Sequence, residues 1–267
     1  MHRMRTLTLT ALIAGGCTLA CAQAVTQRPE VKPDTKIVQV PGQAAVQNPA
    51  APPAPANPDQ SEITALKTKA TAGDGVAANR LGEIYGIGQG VPRDLKEAAK
   101  WFKKGAESGN AASQVRFGLM CEAGFGVQSD IKQALFWYEK AADQGNQDAL
   151  MRLGMAHEVG RDIPKNGKEA VKWYEKAANL GNTKAQVRLG SIYRDGLDNV
   201  QHDYVLAMKW YRKAADSGDA DGQYNVGYMY EQGLGVNASP EQAIAWYEKA
   251  GKQGHVIANA ALRNLRR

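Results

Sequence analysis

The sequence has little cysteine, little surplus charge and no long apolar run. Of its 267 residues only Cys17, Cys21 and Cys121 are cysteines, and the first two lie close to the N-terminus. Cys121 is left without a partner, and no disulfide framework is written into the chain. The formal net charge is +6, falling to +4 once Arg3 and Arg5 are removed with an N-terminal signal, and Arg263, Arg266 and Arg267 supply three further positives at the other end. What remains is near balance, so the pI of about 9.1 gives no grounds for a nucleic-acid partner. The apolar run from about Leu7 to Ala14 is too short to span a bilayer.

Arg3 and Arg5 ahead of that run, with small residues after it, read as a bacterial export signal over residues 1–24. Two processing routes stay open. Ala22-Gln23-Ala24 fits an A-x-A cleavage site, whereas Ala14-Gly15-Gly16-Cys17 resembles a lipobox, in which Cys17 would be lipidated and become the new N-terminus. Either route places the protein in the periplasm or on the outer membrane as a lipoprotein. Residues 25–60 contain no aromatic residue and eight of the eleven prolines. Such a segment cannot bury enough apolar surface to offset its ordering entropy. It reads as a disordered Pro/Ala-rich tether with a reach of up to ~110 Å if fully polyproline-like.

Beyond residue 60 the chain repeats itself. Trp101, Trp137, Trp173, Trp210 and Trp246 are spaced 36, 36, 37 and 36 residues apart, and Gly73, Gly109, Gly145, Gly181, Gly218 and Gly254 keep the same intervals. A fixed period of this length, in units too small to bury their own apolar face, means a stacked solenoid. The five units are 73–108, 109–144, 145–180, 181–217 and 218–253, between capping helices at 61–72 and 254–267. Each unit reads as two helices. Asp74, Asn110, Asn146, Asn182 and Asp219 cap the first, and Asp94, Asp130, Asn166, Asp203 and Ser239 cap the second. G-x-G-V turns join them; Asp162 and Asp198 stand where two units lack the second glycine, and Asn199 is the extra residue behind the interval of 37.

These columns closely resemble the Sel1-like repeat, a relative of the tetratricopeptide repeat; AQVRLGSIYRDG at 185–196 and DYVLAMKWYRKAADSG at 203–218 carry the pattern. The resemblance implies an all-α, right-handed α-solenoid and a non-enzymatic protein-interaction scaffold of the cell envelope, without a cofactor. The alternative it carries is a hydrolase acting on cell wall or β-lactams, as in the cysteine-rich branch of the family. That reading needs a nucleophile beside an oriented base, and Ser113 and Ser191 have no such partner in the sequence. Self-association through the solenoid ends is a third reading.

Several residues look chemical. Cys121 and His157 occupy a column otherwise held by Tyr85, Tyr193 and Tyr230, which makes them packing residues; as a pair they lack the further ligands zinc needs. The tryptophans, with alanines three residues earlier, mark the buried stripe of the second helices, so Trp173→Ala should cost ~3–5 kcal/mol. The lysines three residues after each Trp suit a helix C-terminus. One column stands apart: Arg80, Arg116, Arg152 and Arg188, completed by Asn225, occupy a position that borders the concave groove in tetratricopeptide relatives. An arginine ladder there would bind a peptide, protein or anionic ligand. The other reading is local pairing, Arg80 with Glu83 and Asp148 with Arg152.

Overall fold

The computed structural model describes residues 58–160 and 162–266. The export signal expected over 1–24, Cys17 within it, and the tether as far as Asn57 lie outside the described residues. Among the described residues, twelve α-helices follow one another without a β-strand. α1 (Gln60–Thr71) stands at the N-terminal end. Five pairs follow: α2 (Gly75–Ile87) with α3 (Leu95–Glu107), α4 (Ala111–Ala123) with α5 (Ile131–Ala142), α6 (Gln147–Val159) with α7 (Gly167–Asn179), α8 (Thr183–Asp195) with α9 (Tyr204–Asp216), and α10 (Ala220–Gln232) with α11 (Pro240–Lys252). α12 (Val256–Leu265) closes the array. None of these helices is long and apolar enough to cross a membrane.

The expected capping residues all serve. In each of the ten paired helices the Asp, Asn or Ser before the first turn accepts a backbone N–H two or three residues on. Between pairs the chain reverses at a glycine. At Gly109 φ is 85°, and the N–H groups of Gly109 and Asn110 return to the carbonyls of Ala106 and Gly105, satisfying the last turn of α3. Asp162 and Asp198 do take positive φ, 60° and 49°. Asn199 has a second use. Its turn folds back on the preceding repeat, and its Oδ1 accepts the Lys168 N–H at 2.9 Å, adding a cap to α7.

The core runs along the array between first and second helices. Leu81, Phe117, Leu153, Leu189 and Val226 enter from the first helices, and Ala98, Ala134, Ala170, Ala207 and Ala243 from the second, all buried. The deepest large side chains are Tyr138, Tyr174, Tyr211 and Tyr247, at 0–1% exposure, rather than the tryptophans beside them. Each ring lies against a glycine of its partner helix; a Cβ on Gly154 would stand 2.5 Å from the Tyr174 ring. That close approach admits the tyrosine and displaces the tryptophan to the flank. Trp101, Trp210 and Trp246 remain buried there, but Trp137 and Trp173 are only half-buried, which corrects the expectation that Trp173 is a full core residue. The lysine column covers this flank: Lys176, Lys213 and Lys249 lie 4.1, 4.4 and 3.7 Å from the ring centres of Trp173, Trp210 and Trp246. In the second repeat Lys140 turns to Phe136 instead.

Candidate ligand-binding groove

The arginine column is positioned by the core next to it. Each Arg precedes the buried Leu or Phe of a first helix, so it sits at the edge of the packed stripe. The side chains of Arg80, Arg116, Arg152 and Arg188 retain 32, 40, 36 and 50% exposure, so each can meet both a protein partner and solvent. Asn225 differs. It is buried, donates to the Asp221 carbonyl at 2.8 Å and accepts from Arg194 Nη1 at 3.1 Å.

Beyond the first repeat, the pairing joins neighbouring repeats. Arg80 pairs locally with Glu83 at 3.4 Å, as the i,i+3 spacing suggests. Arg116 reaches back to α2, with Nη2 2.7 Å from Glu83 Oε1 and Nη1 donating to Asn79 Oδ1 at 2.7 Å. Arg188 holds Glu158 of the preceding repeat with both Nε, at 2.9 Å, and Nη2. Arg152 faces Glu122, 3.7 Å away, which replaces the Asp148 pairing expected from i,i+4 spacing. Stacking brings one first helix against the next, a relation between residues 30 to 33 apart that a single-helix pattern cannot express.

Two of these acids, Glu122 and Glu158, also receive buried tyrosines, as Glu231 does in the last repeat. Tyr138, Tyr174 and Tyr247 donate to Glu122, Glu158 and Glu231 at 2.6, 2.7 and 2.5 Å. Burial first, and then the facing carboxylate, pushes these phenols well above their ordinary pKa. In the fourth repeat the acid's position holds Arg194, and there Tyr211 donates to Ser191 Oγ at 3.1 Å instead. Arg194 meets Asn225 where the other junctions set Glu against Arg, so donor and acceptor exchange sides. A further column escaped the sequence reading. Buried Gln114, Gln186 and Gln223 donate to the carbonyls of Ala106, Ala178 and Ala215, near the end of the preceding second helix. Their recurrence at one repeat position is the signal that could have found them.

Of the remaining chemical candidates, Cys121, Ser113 and Ser191 have side-chain hydrogen-bond partners, whereas the buried Nδ1 of His157 has none among the described residues. Cys121 is buried with Sγ 2.9 Å from Gln133 Oε1, and burial raises its thiol to about 11. The carbonyls of Cys121 and His157 both accept the N–H of the next capping residue, Asp130 and Asn166, as those of Tyr85, Tyr193 and Tyr230 do in their own repeats. Ser113 Oγ donates to Asn79 Oδ1, and Ser191 Oγ to the Val187 carbonyl. Among the described residues no group of three or more His, Cys, Asp or Glu side chains is placed to hold a metal ion.

α2 packs against α4 and α8 against α10, and between these contacts a groove of about 830 Å³ opens along α4, α6 and the start of α8. Val115, Leu119, Met151 and Met155 give it an apolar floor, while Arg116, Arg152, Lys184 and Asp148 stand at its margins. Of the five residues in the arginine column, the groove brings together Arg116 and Arg152. Arg80, Arg188 and Asn225 lie outside it. A slot of about 200 Å³ adjoins it, lined by Ile131, Tyr138, Ala156 and Val159, by the carboxylates Glu122 and Asp162, and again by Arg152 and Met155. A volume of several hundred cubic ångströms with an apolar floor and a few charged groups suits a short peptide segment or a small ligand.

The Sel1 repeat model matches residues 75–110, 111–146, 147–182, 183–219 and 220–255. Among solved structures, the chain is similar to a Sel1 repeat protein from Oxalobacter formigenes, with 31% identity and a TM-score of 0.65 over 78% of this chain and 82% of that one. It is also similar to c5321, a protective antigen of uropathogenic Escherichia coli strains, with 29% identity and a TM-score of 0.50 over 75% of this chain and 50% of the other. A comparison with curated proteins returned no match. Five matched repeats built as stacked helix pairs establish that the chain belongs to the Sel1 repeat family, whose members serve as protein-interaction scaffolds.

Proposed function

We propose that the protein is a non-enzymatic scaffold of the bacterial cell envelope that binds a peptide, a protein segment or an anionic ligand in the groove along α4, α6 and α8. The groove carries this reading: an apolar floor of Val115, Leu119, Met151 and Met155 beside the cations Arg116, Arg152 and Lys184. The apolar floor supplies area to bury, and the charged margin selects and orients what is buried. Relatives of the Sel1 repeat type support a binding role. The export signal and Cys17 support an envelope address, with the Pro/Ala segment as spacer between a lipid-anchored N-terminus and the repeats.

The test is site-specific photo-crosslinking in cells. A benzoylphenylalanine at Met151, in the groove floor, should capture a discrete partner. The same group at Val205, exposed on α9, should not. Equal capture at both positions, or none at Met151, removes the groove from the proposal. Globomycin-sensitive processing that disappears in Cys17→Ala is the result expected of a lipoprotein; insensitive processing assigns the A-x-A site.

A further inference from the structure

The last helix is capped by a different chemistry from the rest. The eleven others begin behind Asp, Asn or Ser, whose oxygen accepts a backbone N–H. α12 begins behind His255. Its Nδ1 accepts the Ala258 N–H at 3.1 Å, and its Nε2 lies 3.2 Å from Asp221 Oδ1 of α10. A backbone N–H can only donate, and a carboxylate can only accept. Nδ1 therefore carries the lone pair and Nε2 the proton, so the ring that caps α12 is the neutral imidazole. The ring is held in that pose. Its side chain is 12% exposed and stacks on Tyr224 with 4.8 Å between centres, and Tyr224 stacks in turn on Tyr247 at 5.6 Å.

α12 depends on that cap. Its ten residues are fewer than the roughly twelve to fifteen that an isolated helix needs in water. Two of its side chains, Ala258 and Leu262, are buried, in a cluster with Ala243, Tyr247 and Ala250 of α11. Val256 and Ile257, in its first turn, are exposed. Protonation reverses the cap. An imidazolium is a donor at both nitrogens, so neither can accept the Ala258 N–H, whichever way the ring turns. Positive charge then also stands at the positive end of the helix dipole. One contact gains, because Asp221 would face a cation, but its side chain is 72% exposed and such a pair contributes little. The lost cap and the unfavourable dipole together outweigh it. The other groups around the ring do not change that order. Tyr224 is uncharged near neutrality, and behind it Tyr247 engages Glu231. Lys252 is exposed at the end of α11, and α12 carries no charged side chain before Arg263.

We infer that α12 is an acid-released latch. Neutral His255 holds the C-terminal helix on α11, and protonation lets it go, uncovering the cluster that Ala258 and Leu262 complete with Ala243, Tyr247 and Ala250. The working window lies between pH 8 and 5, where imidazoles take up a proton while the Asp, Asn and Ser caps of the other helices keep their state. Docking is complete while the ring is neutral and weakens as the pH falls. The change is confined to the end of the array, and the groove along α4, α6 and α8 plays no part in it.

The test is hydrogen–deuterium exchange of the full chain at pH 8 and pH 5, corrected for the pH dependence of intrinsic exchange. Peptides covering residues 256–265 should lose about fivefold or more of their protection in acid, while peptides from α4 to α9 keep theirs. His255→Asn supplies a cap that takes up no proton and should make the protection of α12 equal at both pH values. Asp221→Asn removes the carboxylate that favours the imidazolium and should deepen the loss in acid. Circular-dichroism melting at pH 8 checks that each variant is folded. Equal protection of α12 at both pH values in the wild type overturns the latch, and so does an acid loss that persists in His255→Asn. Protection lost together along the whole array also overturns it, since acid would then act on the fold and not on its last helix.

Discussion

Tyr174 donates its hydroxyl to Glu158 at 2.7 Å, and through that acid the two helices of one repeat are joined to Arg188 of the next. The acid therefore serves a buried phenol and a half-exposed guanidinium at once. Removing it leaves the phenol without an acceptor in the core, so Glu158→Ala should cost ~2–3 kcal/mol. Tyr174→Phe removes the donor and leaves the Arg188–Glu158 pair intact, at a cost of ~1 kcal/mol. Urea unfolding of both variants checks the order; a Glu158→Ala protein as stable as wild type would show that the acid is dispensable.

The same network sets an alkaline limit. Burial and the facing carboxylates raise the phenols of Tyr138, Tyr174 and Tyr247 above their ordinary value of 10.0, and burial raises Tyr211. An unfolded chain releases these protons near pH 10, whereas the folded chain keeps them. Their stabilising effect is thus complete below about pH 10 and is lost as pH rises through the folded-state values. Unfolding free energy should be flat from pH 8 to about 9.5 and fall beyond it, with phenolate absorbance rising together with loss of helix. Four buried tyrosines that ionised before unfolding would contradict the pairing.

The junction between the fourth and fifth repeats makes a charge-exchange prediction. Arg194 meets Asn225 at 3.1 Å where the other junctions set Glu against Arg. Restoring the common residue alone, Asn225→Arg, places two cations together at a buried position and should destabilise by ~2 kcal/mol or more. Adding Arg194→Glu should recover most of that loss. A double-mutant cycle by chemical denaturation reads the coupling, and additive losses would mean that the two positions do not communicate.

Two glycines should respond in opposite directions to alanine. On Gly154 a new methyl would stand 2.5 Å from the Tyr174 ring; on Gly86 the nearest atom is 3.7 Å away. Overpacking costs ~1–3 kcal/mol, while removing glycine from a helix gains ~1 kcal/mol. Gly154→Ala should therefore lower the melting temperature and Gly86→Ala should hold or raise it. The same sign for both would remove the steric explanation of the glycine column.

Much of this architecture was legible in the chain. The period of the Trp and Gly columns, the Asp and Asn caps and the aspartates at positive φ are local facts, decided within a few residues by backbone sterics and short hydrogen bonds. Burial rank was less legible. The recurring Trp drew attention as the larger apolar group, but the niche opposite Gly154 admits the Tyr174 ring, and Trp173 is left half-covered under Lys176. The candidate site was the least legible. Arg80, Arg116, Arg152 and Arg188 are equivalent in the sequence, yet only Arg116 and Arg152 border the groove.

The amino-acid order by itself determined that this protein is an array of capped helix pairs, because helix starts, turns and apolar periodicity act over distances of one to four residues. Which arginine faces which acid was decided only by stacking. A pair such as Arg188 and Glu158 is separated by 30 residues and meets only after one repeat has packed on the next. The groove exists for the same reason: its lining is drawn from α4, α6 and the start of α8, and no one of them encloses a volume alone.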